Sequence, residues 1–450
     1  MYDAEDTIVA PATPSGESAL AIVRVSGGAV RALSDSIPSA GCPEARKAVY
    51  GAFRAVDGHT IDYCVFVRFE KGASYTGEDM LEVSCHGNPI IVRQIVDDLL
   101  TRGCRSAEPG EFTRRAFLNG RMDLTQAEAV QEIISARSEA ALEAARRQLD
   151  GSVGRAVNAL LDRLLEVIAH LEAYIDFPEE DLPVEDEAGP IMQLAKLQED
   201  AKSLMATAPY SSMLHDGFLT VIAGAPNAGK SSLMNALLGR DRAIVSEEPG
   251  TTRDYLEERL VIDRHLVRIV DTAGLREIEK GVEKLGIDKS IEQIQKAELV
   301  LYVVDASSKT PPPPFRSNLA HKGAEILVVE NKSDLGCAGW EFMPGSKRVR
   351  TSAITGDGLS ELRKAIAAVI GERAPVHSRD DVIVSARHAA ALGNMSNSIA
   401  AAIDRLRSGE PTELAACELR EALACLEEIV GRIDNERVLD RIFSSFCIGK

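Results

Sequence analysis

Residues 224–231 read Gly-Ala-Pro-Asn-Ala-Gly-Lys-Ser, a G-x-x-x-x-G-K-S stretch. No other feature constrains the fold as strongly, because such a stretch works only as the turn from a buried strand into a helix. Its backbone N–H groups must converge on a multiply charged phosphate tail, and Gly224 and Gly229 allow the close approach and the φ angles that a Cβ would block. Asn227, Ala228 and Ser232 complete the phosphate-contacting loop, Lys230 is spaced to reach the terminal phosphates, and Ser231 offers a hydroxyl to Mg²⁺. The flanks agree: residues 218–223 are a short apolar β-type run, and residues 232–238 have helical character.

Three further segments follow in a fixed order. Gly-Thr-Thr-Arg-Asp at 250–254 is an ordinary turn by itself, but after the phosphate loop it is where a nucleotide-sensing segment falls, with Thr251 on the nucleotide and Thr252 as a second Mg²⁺ ligand. The apolar run 267–270 then leads into Asp271-Thr272-Ala273-Gly274; Asp271 anchors the phosphate-bound metal and Gly274 turns an N–H toward the last phosphate. A buried-type strand at 326–330 ends in Asn331-Lys332-Ser333-Asp334. A carboxylate at Asp334 accepts from N1–H and N2–H₂ of guanine, whereas adenine would leave it desolvated and unpaired, so guanine is selected. Ser352 and Ala353 fit the loop whose backbone N–H meets guanine O6.

With 450 residues, 45% of them hydrophobic, the chain is long enough for about three domains, and the nucleotide motifs occupy only residues 218–358. The expected fold class is multidomain, α/β and all-α. A mixed α/β domain takes 1–118, a helical domain 119–212 and again 374–450, and a P-loop domain of the Ras-like kind is inserted at 213–373. Residues 311–314, four prolines, read as a rigid surface loop. An acidic start without an apolar leader, and no 18-residue apolar stretch, predict a soluble cytoplasmic protein that does not engage a membrane. Eight cysteines without C-x-x-C pairs suggest neither a disulfide framework nor a zinc ribbon; Cys417 and Cys425 are expected to share a buried helix face. A net charge of −18 argues against non-specific nucleic-acid binding, and Arg102, Arg105, Arg114, Arg115 and Arg121 read as a solvated face.

Residues 447–450, Cys-Ile-Gly-Lys, fit no prenylation preference. Beside Gly449, Cys447 is expected to be mobile enough to reach a substrate, and reactive and structural roles both stay open.

The phosphate loop, residues 250–254, residues 271–276, the segment Pro-Gly-Glu-Phe-Thr-Arg-Arg-Ala-Phe-Leu-Asn-Gly at 109–120 and the Phe-Cys-Ile-Gly-Lys of 446–450 together resemble the tRNA modification GTPase family MnmE, also called TrmE. The resemblance implies a homodimer formed through a folate-binding-like N-terminal domain, and a heterotetramer with the FAD protein MnmG (GidA), the FAD belonging to that partner. It implies that the wobble uridine, position 34, of certain tRNAs receives an aminomethyl or carboxymethylaminomethyl group at C5 from 5,10-methylenetetrahydrofolate, for which 5-formyltetrahydrofolate is an analogue. By the family pattern Arg24, Glu82, Arg121 and Lys450 contact folate and Cys447 takes part in modification; Arg121 stands where Lys is common. Leu275 occupies the place of the water-orienting Gln of Ras-type proteins, and the family pattern gives that work to Glu283. In place of an arginine finger it implies K⁺, held by Asn227, Ser246, Glu248 and Thr251. Two other readings, a GTP-gated scaffold that only positions a partner and a ribosome-assembly GTPase, stay open; the acidic chain and Cys447 weigh against the second.

Overall fold

The computed structural model describes residues 6–176, 188–239, 257–271, 292–313, 315, 323–340, 343–373, 381–432 and 436–450. Two compact units divide the chain, the first Met1–Gln131 with Glu427–Lys450 and the second Glu132–Leu426.

The first unit is built on strands β1 (Ile8–Pro11), β2 (Ser18–Ser26), β3 (Ala48–Arg54), β4 (Thr60–Phe69), β5 (Met80–Gly87) and β6 (Arg105–Ser106). They form one sheet in the order β3-β4-β5-β2-β1-β6. Only the β1–β6 pair is parallel, so hairpins and short returns connect most neighbours. Alternation along β4 turns Cys64 and Phe66 inward with Val83, Ile95 and Leu99, while Tyr63 and Val65 lie on the other face. Helices α1 (Val30–Ser36) and α2 (Pro89–Thr101) follow; α2 starts where the Asn88 side chain accepts from the Ile90 N–H at 2.8 Å, with Pro at the first turn. Helix α3 (Glu111–Leu118) and α4 (Leu124–Ser135) come next. Leu439, Phe443 and Phe446 pack with Leu124 and Ala127, near the start of the helical stretch expected from residue 119, and residues 427–450 cluster with the first unit.

In the second unit α5 (Glu139–Leu149), α6 (Ser152–Asp176), α7 (Ala188–Met205) and α8 (Ala208–Asp216) precede the nucleotide motifs. The chain then runs through β7 (Phe218–Gly224), α9 (Lys230–Leu238), β8 (Glu257–Ile262), β9 (His265–Asp271), β10 (Leu299–Asp305), β11 (Glu325–Asn331), β12 (Lys347–Arg350) and α10 (Leu359–Arg373). The sheet order is β12-β11-β10-β7-β9-β8, parallel except for β8 against β9. Continuous Val, Leu and Ile runs make this possible, since such strands are buried on both faces. After the sheet, α11 (Ala386–Ser408) starts on a capping box between Ser385 and His388 and packs on α7, where Gln198 Nε2 donates to Ser396 O at 2.7 Å. Helical segments before and after the sheet therefore meet.

The helix α12 (Thr412–Val430) corrects one expectation: Cys417 is exposed and Cys425 half-buried. Eight residues at about 3.6 per turn overshoot two turns by roughly 80°, enough to move the second thiol off the face of the first.

Candidate functional site

Burial of β7 between β10 and β9 fixes where the phosphate loop leaves the sheet. At its first glycine φ is +151°, and a Cβ on Gly224 would stand 2.2 Å from Val303 O. At its last, φ is +90° and a Cβ on Gly229 would stand 2.3 Å from Asn331 Nδ2. Both positions need glycine for conformation and for space. Asn227, exposed at the loop's crest, is also left-handed at φ +62°. Lys230 opens α9 and is buried, its Nζ donating to Gly224 O at 3.1 Å and Ala225 O at 2.9 Å. The ammonium thus lies inside the curl of the loop that would hold the phosphates. Ser231 Oγ donates to Asp271 Oδ2 at 2.6 Å, bringing together two hard oxygen donors of the kind that Mg²⁺ takes. Ala228 is buried and Ser232 exposed in the first turn of α9.

Asn331 is the tie between the loop and the base-reading segments. Its Nδ2 donates to Ala228 O at 3.1 Å and Gly229 O at 3.5 Å, and its Oδ1 accepts from the Ala353 N–H at 3.1 Å and from Thr351 Oγ1 at 3.4 Å. One buried amide therefore uses donor and acceptor to hold three chain segments in register. Ser352, also buried, accepts from the Thr355 N–H through Oγ at 3.2 Å, and its own N–H donates to Asp357 O at 2.9 Å. Lys332 is left-handed at φ +63° and starts the short 3₁₀ turn Ser333–Leu335, which leaves Asp334 exposed. A solvent-facing carboxylate at the end of a buried strand can accept from a base edge.

Sequence reasoning missed Asp305. It closes β10 opposite Asn331, and Lys332 Nζ donates to its Oδ2 at 2.6 Å. Burial pushes the Asp305 carboxyl upward, but hydrogen bonds from Lys332 and Ser307 outweigh it and hold the group below its ordinary value. The available signal was an apolar run ending in Asp, the same pattern that marks Asp271.

The first unit gathers three of the four folate-pattern residues. Arg24 on β2 faces Glu82 on β5 in register, and its Nε and Nη2 donate to Glu82 Oε1 at 3.0 and 2.8 Å. The guanidinium lies 5.5 Å from the Tyr75 ring and 5.7 Å from the Phe112 ring, and Nη1 donates to Gly449 O at 3.5 Å. Burial, then the charge of Arg24, lowers the pKa of Lys450. Arg121 bonds elsewhere, its Nη1 donating to Gly72 O at 3.0 Å. Cys447 is exposed, and the backbone around it is bonded: Ile448 bridges Pro109, the Gly110 N–H donates to Cys447 O at 3.4 Å, and at Gly449, φ +95°, a Cβ would stand 2.1 Å from Pro11 O. The backbone at 447–450 is held by close packing that only glycine permits at 449.

The arginine run is not a solvated face either. Arg115 is 1% exposed and donates to Glu78 at 3.1 Å and Glu111 at 3.0 Å, with a further short bond to Asp6. Arg105 bonds Asp6 and Glu111, both at 2.6 Å, Arg102 bonds Asp98, and Arg114 bonds Asp440. Carboxylates distant in sequence neutralise these cations, which a local charge count cannot register. Cys85 and His86, adjacent on β5, lie on opposite faces, because alternation buries the thiol and exposes the imidazole, which pairs with Asp62 at 2.8 Å. Ser246, Glu248, Thr251, Thr252, Thr272, Ala273, Gly274 and Glu283 lie outside the described residues.

A parallel sheet with a glycine-conditioned phosphate loop, a Ser–Asp oxygen pair and an Asn-Lys-x-Asp end tied to that loop defines a P-loop GTPase. The chain matches the family models "GTP-binding protein TrmE N-terminus" over residues 7–121 and "MnmE helical domain" over residues 124–447. It is 48% identical over 461 residues to the tRNA modification GTPase MnmE of Opitutus terrae, covering 100% of both chains. It is 43% identical to that of Akkermansia muciniphila, again over 100% of both, and 41% identical to that of Aquifex aeolicus over 99% of this chain and 100% of the other. The chain belongs to the MnmE family. Among the described residues no helix is long and apolar enough to cross a membrane.

Proposed function

We propose that this protein hydrolyses GTP to drive modification of the wobble uridine of certain tRNAs. With the FAD-carrying partner MnmG it would place an aminomethyl or carboxymethylaminomethyl group on C5, taking the carbon from 5,10-methylenetetrahydrofolate. The observation that carries this reading is the convergence of Arg24, Glu82 and Lys450, with Cys447 three residues from that lysine, in a chain that also has a complete guanine-nucleotide loop. Arg24 paired to Glu82 offers a donor fork and an acceptor side by side, which suits the mixed donor and acceptor edge of a pterin, and Lys450 supplies a cation for a carboxylate.

Mg²⁺ fits Ser231 and Asp271, whose oxygens lie 2.6 Å apart; bound there it would neutralise charge on the phosphate oxygens. Thr252 would supply its further ligand. K⁺ would sit by Asn227, whose exposed, left-handed position at the loop's crest suits a ligand of an ion beside the phosphates. Ser246, Glu248 and Thr251 would complete that site, and Glu283 would orient the attacking water. Lys230, with Asn227, Ala228, Gly229 and Ser232, would bind phosphate, and Asp334, Ser352 and Ala353 would read the base.

A homodimer is supported by the face of the first sheet that the helices leave open. Tyr50 and Tyr63 stack there at 6.1 Å, 68% and 57% exposed, two rings that a second copy would cover. Mass spectrometry of tRNA nucleosides from cells lacking this protein tests the proposal. Loss of the 5-substituted wobble uridine is expected, and an unchanged nucleoside profile would overturn it.

A further inference from the structure

The pair formed by Asp305 and Lys332 has more order than a surface contact requires. Both side chains are 28% exposed, and the carboxylate is fixed at both oxygens. Oδ1 accepts from the Ser307 N–H at 3.0 Å and from Ser307 Oγ at 2.6 Å, while Oδ2 takes the Lys332 ammonium at 2.6 Å. Lys332 meets it from a strained backbone, φ +63°, a conformation that costs a non-glycine residue free energy unless its surroundings hold it. The strand ends that carry the two residues are themselves fastened, with Asp305 opposite Asn331 in parallel register and the Ala306 N–H donating to Asn331 O at 2.8 Å. Between its ends, the lysine stem passes the phosphate loop: Lys332 Cε stands 3.9 Å from where a Cβ of Gly229 would be. The methylenes are stretched from the base-reading turn, past the loop, to a clamped anion.

We propose that Asp305 is a positioning residue for nucleotide binding, holding the Lys332 stem extended as an apolar shelf beneath the purine. This rests on the assignment of residues 331–334 to the guanine base. A lysine stem can cover apolar surface only while its ammonium is held at a polar or charged site, and without an anchor the four-carbon chain samples many rotamers. Asp305 removes that freedom before the nucleotide arrives, so less ordering cost falls on binding. The shelf contacts the purine plane and not its edge; its loss weakens all purine nucleotides alike.

Asp305→Asn keeps the shape and the Ser307 contacts of the acceptor side while discarding the charge. For a partly exposed pair the expected effect is about five- to tenfold weaker binding of GTP, GDP and ITP, equal for all three, with single-turnover hydrolysis of bound GTP unchanged. In a Lys332→Met background, where no ammonium remains to anchor, Asp305→Asn should change affinity less than about twofold. If Asp305→Asn lowers the melting temperature enough to obscure binding, Ser307→Ala serves instead, because it keeps the charge and removes one of the two Ser307 bonds to Oδ1, loosening the carboxylate; about two- to fourfold weaker binding is then expected. Unchanged GTP affinity in Asp305→Asn, or an equal loss with and without Lys332, would overturn the proposal. Asp334→Asn measured alongside separates the two levels. A switch toward xanthosine triphosphate with a silent Asp305→Asn sinks the anchor alone, whereas no switch sinks the base assignment beneath it.

Discussion

At the scale of single residues, the nucleotide loop was legible because its chemistry is local. Gly224 and Gly229 are demanded by close approaches of 2.2 and 2.3 Å to neighbouring strands, and a motif of eight residues encodes both. Asp334 was legible for the same reason: a carboxylate at the end of a buried strand has one edge to read. Replacing it by Asn turns an acceptor pair into one acceptor and one donor, so preference should move from GTP toward xanthosine triphosphate, whose C2 carries an oxygen. Competition binding with the two nucleotides checks this, and an unchanged preference for GTP would remove the assignment. Asp305 was not legible as a partner of Lys332, because 27 residues separate them and only the parallel register of β10 and β11 brings them together. Arg115 was misread for a related reason: in sequence it is one of several arginines, and its carboxylate partners Asp6 and Glu78 come from elsewhere in the unit.

At the scale of elements, that arginine joins the β1 approach, the loop before β5 and α3. Arg115→Met should leave Glu111, Asp6 and Glu78 short of a cation at a site where Glu111 is 2% exposed, at a cost of about 3–5 kcal/mol by thermal or urea unfolding. The pH dependence follows from the carboxylates. Burial alone would raise the Glu111 pKa, but bonds from Arg105, the Glu108 N–H and Arg115 outweigh it and hold the pKa below 4.5. A depressed folded value means this stabilisation is complete above the unfolded value of 4.5 and is lost as pH falls through the folded one. Acidification below pH 4.5 should therefore cost the native protein stability, whereas Arg115→Met, already less stable near neutral pH, should lose less, so the two profiles converge in acid; a constant difference between them would contradict the network's role. Residues 447–450 were legible in composition but not in conformation, since nothing local shows that Ile448 will bridge Pro109. Gly449→Ala adds a methyl 2.1 Å from Pro11 O at a positive φ, and should displace Lys450 and Cys447 together. GTP hydrolysis should persist while tRNA modification falls at least tenfold; retained modification would mean that the pinned backbone is dispensable. That size of loss follows from misplacing reacting groups by about 1 Å.

At the scale of the whole molecule, composition located the helical stretches on either side of the nucleotide sheet, and the packing of α7 on α11 shows that they meet. It did not show that Leu124 and Ala127, early in the first helical stretch, and residues 427–450 cluster together with the first unit, because Phe443 and Phe446 are as apolar as any helix core and only their contacts decide the matter. That arrangement puts Cys447 in the unit that holds Arg24 and Glu82, and puts every nucleotide motif in the other. The central claim, that this GTPase takes part through Cys447 in chemistry on a tRNA base, is tested most directly by Cys447→Ser, a near-isosteric change that removes the thiol. Purified Cys447→Ser protein should fold, bind GTP and hydrolyse it at the wild-type rate. Nucleoside analysis of tRNA from cells whose only copy carries the substitution should show the 5-substituted wobble uridine gone, and a normal level of that nucleoside would contradict a role for Cys447 in the modification.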